Sequence, residues 1–252
     1  APWWTFGSFG DVVELANGGL VAGGAFSQLY GAAIRNLARW NGSSWSAFGN
    51  PNGSVSLTVT LANGNLVVAG SFTTIGGIAA NCIARWDGTT WNPLGLGTDG
   101  TVTALTALPN GDIVAGGSFT TAGGVSAANV ARWDGTTWSA MGGLPHAVRN
   151  LVTAASGEPI AVTESASSST AQSFVTRWTG SAWQQLGQPF AGTNSAAVAR
   201  LLALPNGDVL AAGWFTSAGT ASNSVARWNG ATWTPDVAGP TARVYGMRRR
   251  AN

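Results

Sequence analysis

The sequence predicts an all-β protein, a β-propeller of five four-stranded blades that occupies residues 1–252 as a single domain. Three observations lead to this prediction: a repeat of about 47 residues that recurs five times, a tight hairpin turn inside each copy, and an unusual composition. The chain contains 36 Gly and 13 Trp, and only 9% of its residues are charged. Short apolar runs separated by Gly-rich turns are typical of all-β domains.

A pair of tryptophans marks each copy of the repeat. An Arg-Trp dipeptide recurs, and a second Trp follows five residues after the first. The dipeptides are Arg39-Trp40, Arg85-Trp86, Arg132-Trp133, Arg177-Trp178 and Arg227-Trp228, so successive Arg lie 46, 47, 45 and 50 residues apart. We place the copies at approximately 8–49, 54–95, 100–142, 147–187 and 196–237. Because most of the Trp obey the repeat, we interpret them as scaffold residues.

The third copy shows how one blade is built. Strand-like runs cover 101–108, 112–116, 129–133 and 138–141, and Asn110-Gly111 supplies the positive φ angles of a tight hairpin turn between the first two. Four antiparallel strands in about 47 residues make one propeller blade. Because successive side chains on a strand alternate in direction, we expect Trp133 to pack between blades and Arg132 to point the other way, toward a backbone carbonyl or an aromatic ring.

The two ends of the chain leave the blade count open. Residues 3–7 (WWTFG) copy the start of a fourth strand, and residues 242–247 (ARVYGM) read as a first strand. The alternative to five blades is therefore a sixth blade formed from both termini.

The repeat resembles the Kelch repeat. The residues that carry the resemblance are IVAGG at 113–117, RWD at 132–134 and the downstream Trp138. The longer pattern over 116–142 is similar to the Kelch-like repeats of bacterial exported and surface proteins and of fungal cell-polarity markers of the Rax2 kind. This resemblance implies a propeller and an extracellular or cell-surface location reached by bacterial-type export, but no activity, because function resides in sites and not in the fold.

Residues on the loops between strands two and three, and residues that break the repeat, are the candidate ligand contacts. A Phe recurs on these loops, and we favour packing over ligand stacking as its role. The fourth copy replaces the usual Gly-Gly by Val162-Thr163 and gathers several residues that the other copies lack. The candidate contacts are Phe26, Phe72, Asp99, Phe119, His146, Arg149, Trp214 and Phe215, with Arg200 as a further departure from the repeat.

Composition argues against several function classes. The formal charge of +2 and the even spread of Arg predict no nucleic-acid partner, and we expect the run at 248–250 to be a solvated tail. No apolar stretch reaches the length of a membrane span. One His and one Cys predict no metal site and no cofactor, and we interpret Cys82 as a small buried residue.

These observations favour a non-catalytic recognition module that binds a glycan or a protein through its loop face. The first alternative is a structural segment of a larger surface or filament assembly. The second is a hydrolase or lyase acting on a polymer, for which the available acids and bases are Asp99, His146, Glu158 and Glu164. We expect Glu158 and His146 to lie on opposite faces, which disfavours a joint acid-base site, so we predict no catalytic residues.

Overall fold

The computed structural model describes residues 7–29, 32–165, 172–191, 197–215, 224–235 and 247. All regular secondary structure in these ranges is β-strand. The strands are β1 (Gly7–Glu14), β2 (Leu20–Phe26), β3 (Leu37–Trp40), β4 (Trp45–Ala47), β5 (Val55–Thr60), β6 (Leu66–Gly70), β7 (Thr74–Ile75), β8 (Ile78–Ala79), β9 (Ile83–Trp86), β10 (Trp91–Pro93), β11 (Thr101–Ala107), β12 (Ile113–Ser118), β13 (Thr121–Ala122), β14 (Val125–Ser126), β15 (Val130–Trp133), β16 (Trp138–Ala140), β17 (Val148–Thr153), β18 (Pro159–Glu164), β19 (Gln172–Trp178), β20 (Trp183–Gln185), β21 (Phe190–Ala191), β22 (Val198–Ala203), β23 (Val209–Gly213), β24 (Val225–Trp228) and β25 (Trp233–Pro235).

Each repeat copy forms one antiparallel sheet with its four main strands in chain order. Sheet 1 contains β1 to β4, sheet 2 contains β5, β6, β9 and β10, and sheet 3 contains β11, β12, β15 and β16. Sheet 4 contains β17 to β20 with β21 added beside β19, and sheet 5 contains β22 to β25. Two short ladders, β7–β8 and β13–β14, occupy the connections between the second and third strands of sheets 2 and 3. The all-β prediction is confirmed.

The third copy matches its predicted strands closely. The hairpin between β11 and β12 turns at Gly111, whose φ is +90°, and the side chain of Asn110 accepts a hydrogen bond from the Asp112 amide at 3.2 Å. The positive φ explains why Gly stands at this position. The connection between the predicted second and third strands contains the two-residue strands of the β13–β14 ladder, which the sequence pattern does not indicate.

Every first strand carries a β-bulge at the same place, a feature that the sequence did not reveal. The register shifts by one residue within each pairing of first and second strands. A bulge leaves one residue unpaired, bends the strand and redirects its side chains. The extra residues are Gly10, Ser56, Thr103, Arg149 and Ala199.

The two Trp of each copy face each other across the third and fourth strands. Their ring centroids lie 5.4 to 5.6 Å apart in all five sheets. The second Trp also reaches back to the preceding copy, because its indole N–H donates to a carbonyl three residues after that copy's own second Trp. These bonds are Trp138 to Leu94, Trp183 to Met141 and Trp233 to Leu186, each 2.7 Å long. In these three copies the second Trp therefore combines ring packing with a directed hydrogen bond to a carbonyl 42 to 47 residues earlier in the chain.

The chain divides into two compact units, Ala1–Ala140 and Met141–Asn252. In the first unit, one apolar core lies between sheets 1 and 2 and another lies between sheets 2 and 3. Trp133 belongs to the second of these cores, as predicted for a residue that packs between blades. In the second unit, a core lies between sheets 4 and 5. The single domain over 1–252 stays a prediction.

The terminal segments 3–6 and 242–246, on which the sixth blade depends, lie outside the described residues, as do residues 248–250. The blade count and the solvated tail therefore stay predictions. Among the described residues there is no helix with the length and apolar character that a membrane span requires.

Candidate recognition site

The recurring Phe of the loops between strands two and three is a core residue. Phe26, Phe72, Phe119 and Phe215 are all at most 4% exposed. Phe72, Phe119 and Phe215 belong to the apolar cores between the sheets. Of the two roles considered for these rings, their burial favours packing over contact with a ligand.

The Asp99 side chain forms hydrogen bonds with the loop that follows β12. Its carboxylate accepts the backbone N–H groups of Thr120 and Thr121 at 2.8 Å and the Thr120 hydroxyl at 2.5 Å. Bonds from Thr120 and Thr121, with the Thr120 hydroxyl first, lower the pKa of Asp99 to about 2. Asn52 makes the equivalent bonds to Thr73 and Thr74 in the preceding copy. Asp99 therefore has a structural counterpart, and its role as a ligand contact stays a prediction.

Sheet 4 departs from the repeat at the end of its second strand. In sheet 3 a Cβ on Gly117 would lie 2.1 Å from the Thr101 carbonyl oxygen, so only Gly fits there. Thr163 occupies the same register position in sheet 4, where strand pairing begins at Val148, one residue later than in sheet 3. Thr163 therefore replaces Gly at a position where, in sheets 2, 3 and 5, a Cβ would lie 2.0 to 2.1 Å from a carbonyl oxygen.

The third strand of sheet 4 also differs, and it lengthens the hairpin. In the other four sheets the residue before the third strand has a positive φ, and these residues are Asn36, Cys82, Asn129 and Ser224. Phe174 takes this position in sheet 4 and continues β19, which is seven residues long against four for β15. Cys82, one of these four positive-φ residues, is buried, as predicted. In sheet 4 the pairing of the second and third strands extends to Glu164 and Ser173, two rows beyond the end of the matching pairing in sheet 3.

Glu164 and Arg149 form an ion pair at the base of this hairpin. The Arg149 Nε donates to Glu164 Oε2 at 3.2 Å, and the side chains are 56% and 12% exposed respectively. The other carboxylate oxygen of Glu164 is buried and has no hydrogen-bond partner among the described residues. Burial raises the pKa of the Glu164 carboxyl, and the nearby Arg149 charge opposes that rise. The arrangement holds the Arg149 guanidinium at the surface by one edge.

His146 lies at the same end of sheet 4. Its ring stacks on Phe174 with centroids 5.8 Å apart and an interplanar angle of 26°. Phe174 pairs with Thr163 across β18 and β19, one register row from the pair of Glu164 and Ser173. The two departures from the repeat thus bring His146 and the ion pair to one end of one sheet.

Trp214 extends this end onto sheet 5. The register aligns Gly213 with Thr163 and Gly117, so Trp214 occupies the position of Glu164 in sheet 4 and of Ser118 in sheet 3. Its side chain is 44% exposed. Sheets 4 and 5 touch here, because Val198 N–H donates to the Ser173 hydroxyl at 3.0 Å. We call Arg149, Glu164, Arg200 and Trp214 the site cluster.

Arg200 belongs to the site cluster through the bulges. The side chain of Asn150, next to Arg149, accepts a hydrogen bond from Leu201 N–H, next to Arg200, at 2.9 Å. Arg149 and Arg200 therefore lie on adjoining first strands, each next to a residue that takes part in this hydrogen bond. The sequence marks both as departures from the repeat but does not show that their strands adjoin. An alignment of strand ends between copies would have shown that Glu164 and Trp214 share a position.

The opposite ends of the sheets hold the remaining charged pairs. Arg132 and Arg227 bind the carboxylates of Asp112 and Asp208, which stand beside the first hairpin turns. The prediction of a backbone carbonyl or an aromatic ring as the partner of Arg132 is therefore wrong, because a carboxylate takes that place. Glu158 stands beside the corresponding turn of sheet 4, five strand residues away from the Val148–Thr163 pair. As predicted, it does not approach His146.

The described residues contain no group of three His, Cys, Asp or Glu side chains placed to share a metal ion.

Comparisons with known proteins agree on the fold. The model of the Rax2 C-terminal beta propeller domain matches residues 33–242. A streptogramin B lyase structure is similar with a TM-score of 0.58 at 14% identity, over 96% of this chain and 75% of that one. The Pan2 WD40 domain of Neurospora crassa gives a TM-score of 0.53 at 9% identity, over 90% and 65%. The structure titled "YCF48 bound to D1 peptide" gives 0.50 at 17% identity, over 94% and 85%. No curated protein matches the chain.

These identities are low, so the similar structures establish the fold alone and carry no activity over to this chain. The predicted β-propeller is confirmed. The narrower resemblance to Kelch repeats stays a prediction.

Proposed function

The chain belongs to the family of the Rax2 C-terminal β-propeller domain, and on that premise we propose that it is a non-catalytic recognition module that binds a glycan through the site cluster. The proposal includes an extracellular or cell-surface location. One observation carries the proposal. The position at the end of the second strand is occupied by small residues in sheets 1 to 3, namely Ala25, Ser71 and Ser118, but by Glu164 in sheet 4 and Trp214 in sheet 5.

The chemistry of these side chains suits a sugar. An exposed indole offers a flat apolar face that packs on the C–H face of a pyranose ring, and charged side chains beside it hydrogen-bond the ring hydroxyls. The scaffold beneath is rigid, because β18 and β23 are largely buried between neighbouring strands and sheets. A preformed site on a rigid frame orders few groups on binding.

A catalytic role has weaker support. Asp99 is engaged by threonines, Glu158 is remote from His146, and Glu164 is paired with Arg149. Among the described residues, no hydrogen bond or ion pair joins any two of these acids and bases, as a pair working on one substrate proton would favour. A peptide ligand is the alternative within the recognition class, since the similar YCF48 structure is titled as a peptide complex.

A glycan array on the purified chain tests the proposal, with Trp214→Ala as the deciding variant. We expect the native chain to bind at least one glycan and the variant to bind it about tenfold more weakly, because the stacking platform is lost. Leu96→Ala is the matched control, since Leu96 is also apolar and 70% exposed but lies in the first unit. Equal loss in both variants, or glycan turnover by the native chain, would contradict the proposal.

A further inference from the structure

The site cluster carries a specific charge pattern. Arg149 and Arg200 are both exposed, and the one described carboxylate beside them is that of Glu164, whose side chain is 12% exposed. In sheet 1 the position of Arg200 is occupied by Asp11, whose carboxylate accepts bonds from Thr58. Leu57, Ala104 and Asn150 occupy this register position in sheets 2, 3 and 4, so sheet 5 is the one described sheet that carries a positive charge there.

Both guanidinium groups are anchored in a way that leaves hydrogen-bond donors available. Among the described residues, Arg149 uses its Nε to bind Glu164, and Arg200 uses one Nη to bind the Ala199 carbonyl at 3.0 Å. The remaining N–H groups of each fork have no hydrogen-bond acceptor in the part of the chain that the structure describes. A planar fork held along one edge is arranged to donate two parallel bonds to an anionic group.

The ion pair with Glu164 is what fixes this geometry. A free Arg side chain loses considerable rotamer entropy when it binds a ligand. Glu164 removes part of that loss in advance, because its carboxylate holds the Arg149 guanidinium before any ligand arrives. The hydrogen bond between Asn150 and Leu201 places the two arginines on adjoining strands, and Trp214, which is 44% exposed, follows β23, the strand that pairs with β22.

We infer that the site cluster recognises an acidic glycan, with the sugar ring on Trp214 and its carboxylate or sulfate group on Arg149 and Arg200. This inference rests on the proposed function and narrows it from glycans in general to anionic ones. Binding of this kind weakens as salt screens the arginine charges, whereas stacking on Trp214 responds little to salt.

Isothermal titration calorimetry with three oligosaccharides tests the inference: an oligogalacturonate, a dextran sulfate fragment and neutral maltohexaose. We expect one of the two anionic probes to bind at least about tenfold more tightly than maltohexaose, with an affinity that falls as salt rises. Whichever of them binds more tightly identifies the anionic group as carboxylate or sulfate.

Arg200→Ala is the central variant, because the one hydrogen bond that this side chain makes among the described residues goes to the adjacent Ala199 carbonyl. It should lower anionic affinity about tenfold and leave maltohexaose binding unchanged. Arg149→Lys keeps the charge but loses the planar fork, so it should weaken anionic binding less than Arg149→Ala. Arg35→Ala, at an exposed arginine of the first unit, is the control and should behave as the native chain.

The outcomes separate this inference from the proposed function. Equal binding of charged and neutral probes, lost in Trp214→Ala but kept in Arg200→Ala, would overturn the anionic preference and leave glycan recognition standing. No binding of any sugar by the native chain would overturn both. Anionic binding that Arg35→Ala weakens as much as Arg200→Ala would show general attraction to positive charge and would also overturn the inference.

Discussion

Sheets 3 and 4 are built from successive copies of one repeat, yet they use the ends of their second strands differently. In sheet 3 that end is closed: Gly117 allows close backbone approach, Asn129 turns the chain with a φ of +67°, and Asp99 fastens the loop. In sheet 4, Thr163 takes the place of that Gly, and Phe174 continues β19 where sheet 3 has the turn. The difference teaches that, within sheet 4, loss of the residues that close the loop in sheet 3 accompanies a longer hairpin and the Arg149–Glu164 ion pair at its base.

The largest effect should come from the second Trp of the two copies. Trp138 is 6% exposed and donates to Leu94, whereas Trp183 makes the same kind of bond but is only half-buried. We expect Trp138→Ala to lower the free energy of unfolding by about 3–5 kcal/mol and Trp183→Ala to lower it by less, because less apolar surface is lost. Urea denaturation followed by circular dichroism measures both, and a larger loss for Trp183→Ala would contradict the comparison.

A smaller effect should follow from adding one methyl group to the closed end of sheet 3. In Gly117→Ala the new Cβ would lie 2.1 Å from the Thr101 carbonyl oxygen, so the backbone must shift at a cost of about 1–3 kcal/mol. Thr163→Ser, which keeps a Cβ and a hydroxyl at the matching position of sheet 4, should cost about 1 kcal/mol or less. The same denaturation assay decides, and a Gly117→Ala variant as stable as the native chain would show that the close contact is absent.

The smallest effect on stability is expected only at acid pH. It concerns the hydrogen bonds between Asp99 and the loop that follows β12 in sheet 3. The pKa of Asp99 is about 2, below its ordinary value of 3.8. The stability that this carboxylate contributes is therefore complete above about pH 4 and is lost as the pH falls through 2. Asp99→Asn, which copies Asn52, should leave neutral stability unchanged and flatten the loss between pH 4 and 2.

Urea midpoints measured from pH 5 to pH 2 test this expectation. Asn52→Asp is the reciprocal control and should introduce an acid-dependent loss into the neighbouring loop. Parallel pH curves for the native chain and Asp99→Asn would show that Asp99 does not fasten the loop in solution.

Strand positions, the Trp pairs and the Asn-Gly turns could be predicted from the sequence because each depends on local alternation or on the φ preference of a residue. The bulges could not, since Gly10, Ser56, Thr103, Arg149 and Ala199 share no residue type. Their common feature is a register between strands, which only the folded sheet displays.

The candidate site was predicted in part for the same reason. His146, Arg149 and Trp214 stood out as departures from the repeat, but the contact of Arg149 with Glu164 joins residues on two strands. The short ladders of sheets 2 and 3 also escaped prediction, because strands of two residues carry too little alternation to be recognised.

Chemical-shift mapping by NMR tests the location of the site most directly. Titration of isotope-labelled protein with the oligosaccharide that binds most tightly should shift the indole signal of Trp214 and the amide signals around Arg149, Glu164 and Arg200, while the signals of Asp112 and Asp208 at the other strand ends stay in place. Shifts confined to the first unit, or to the turns beside Asp112 and Asp208, would contradict the account.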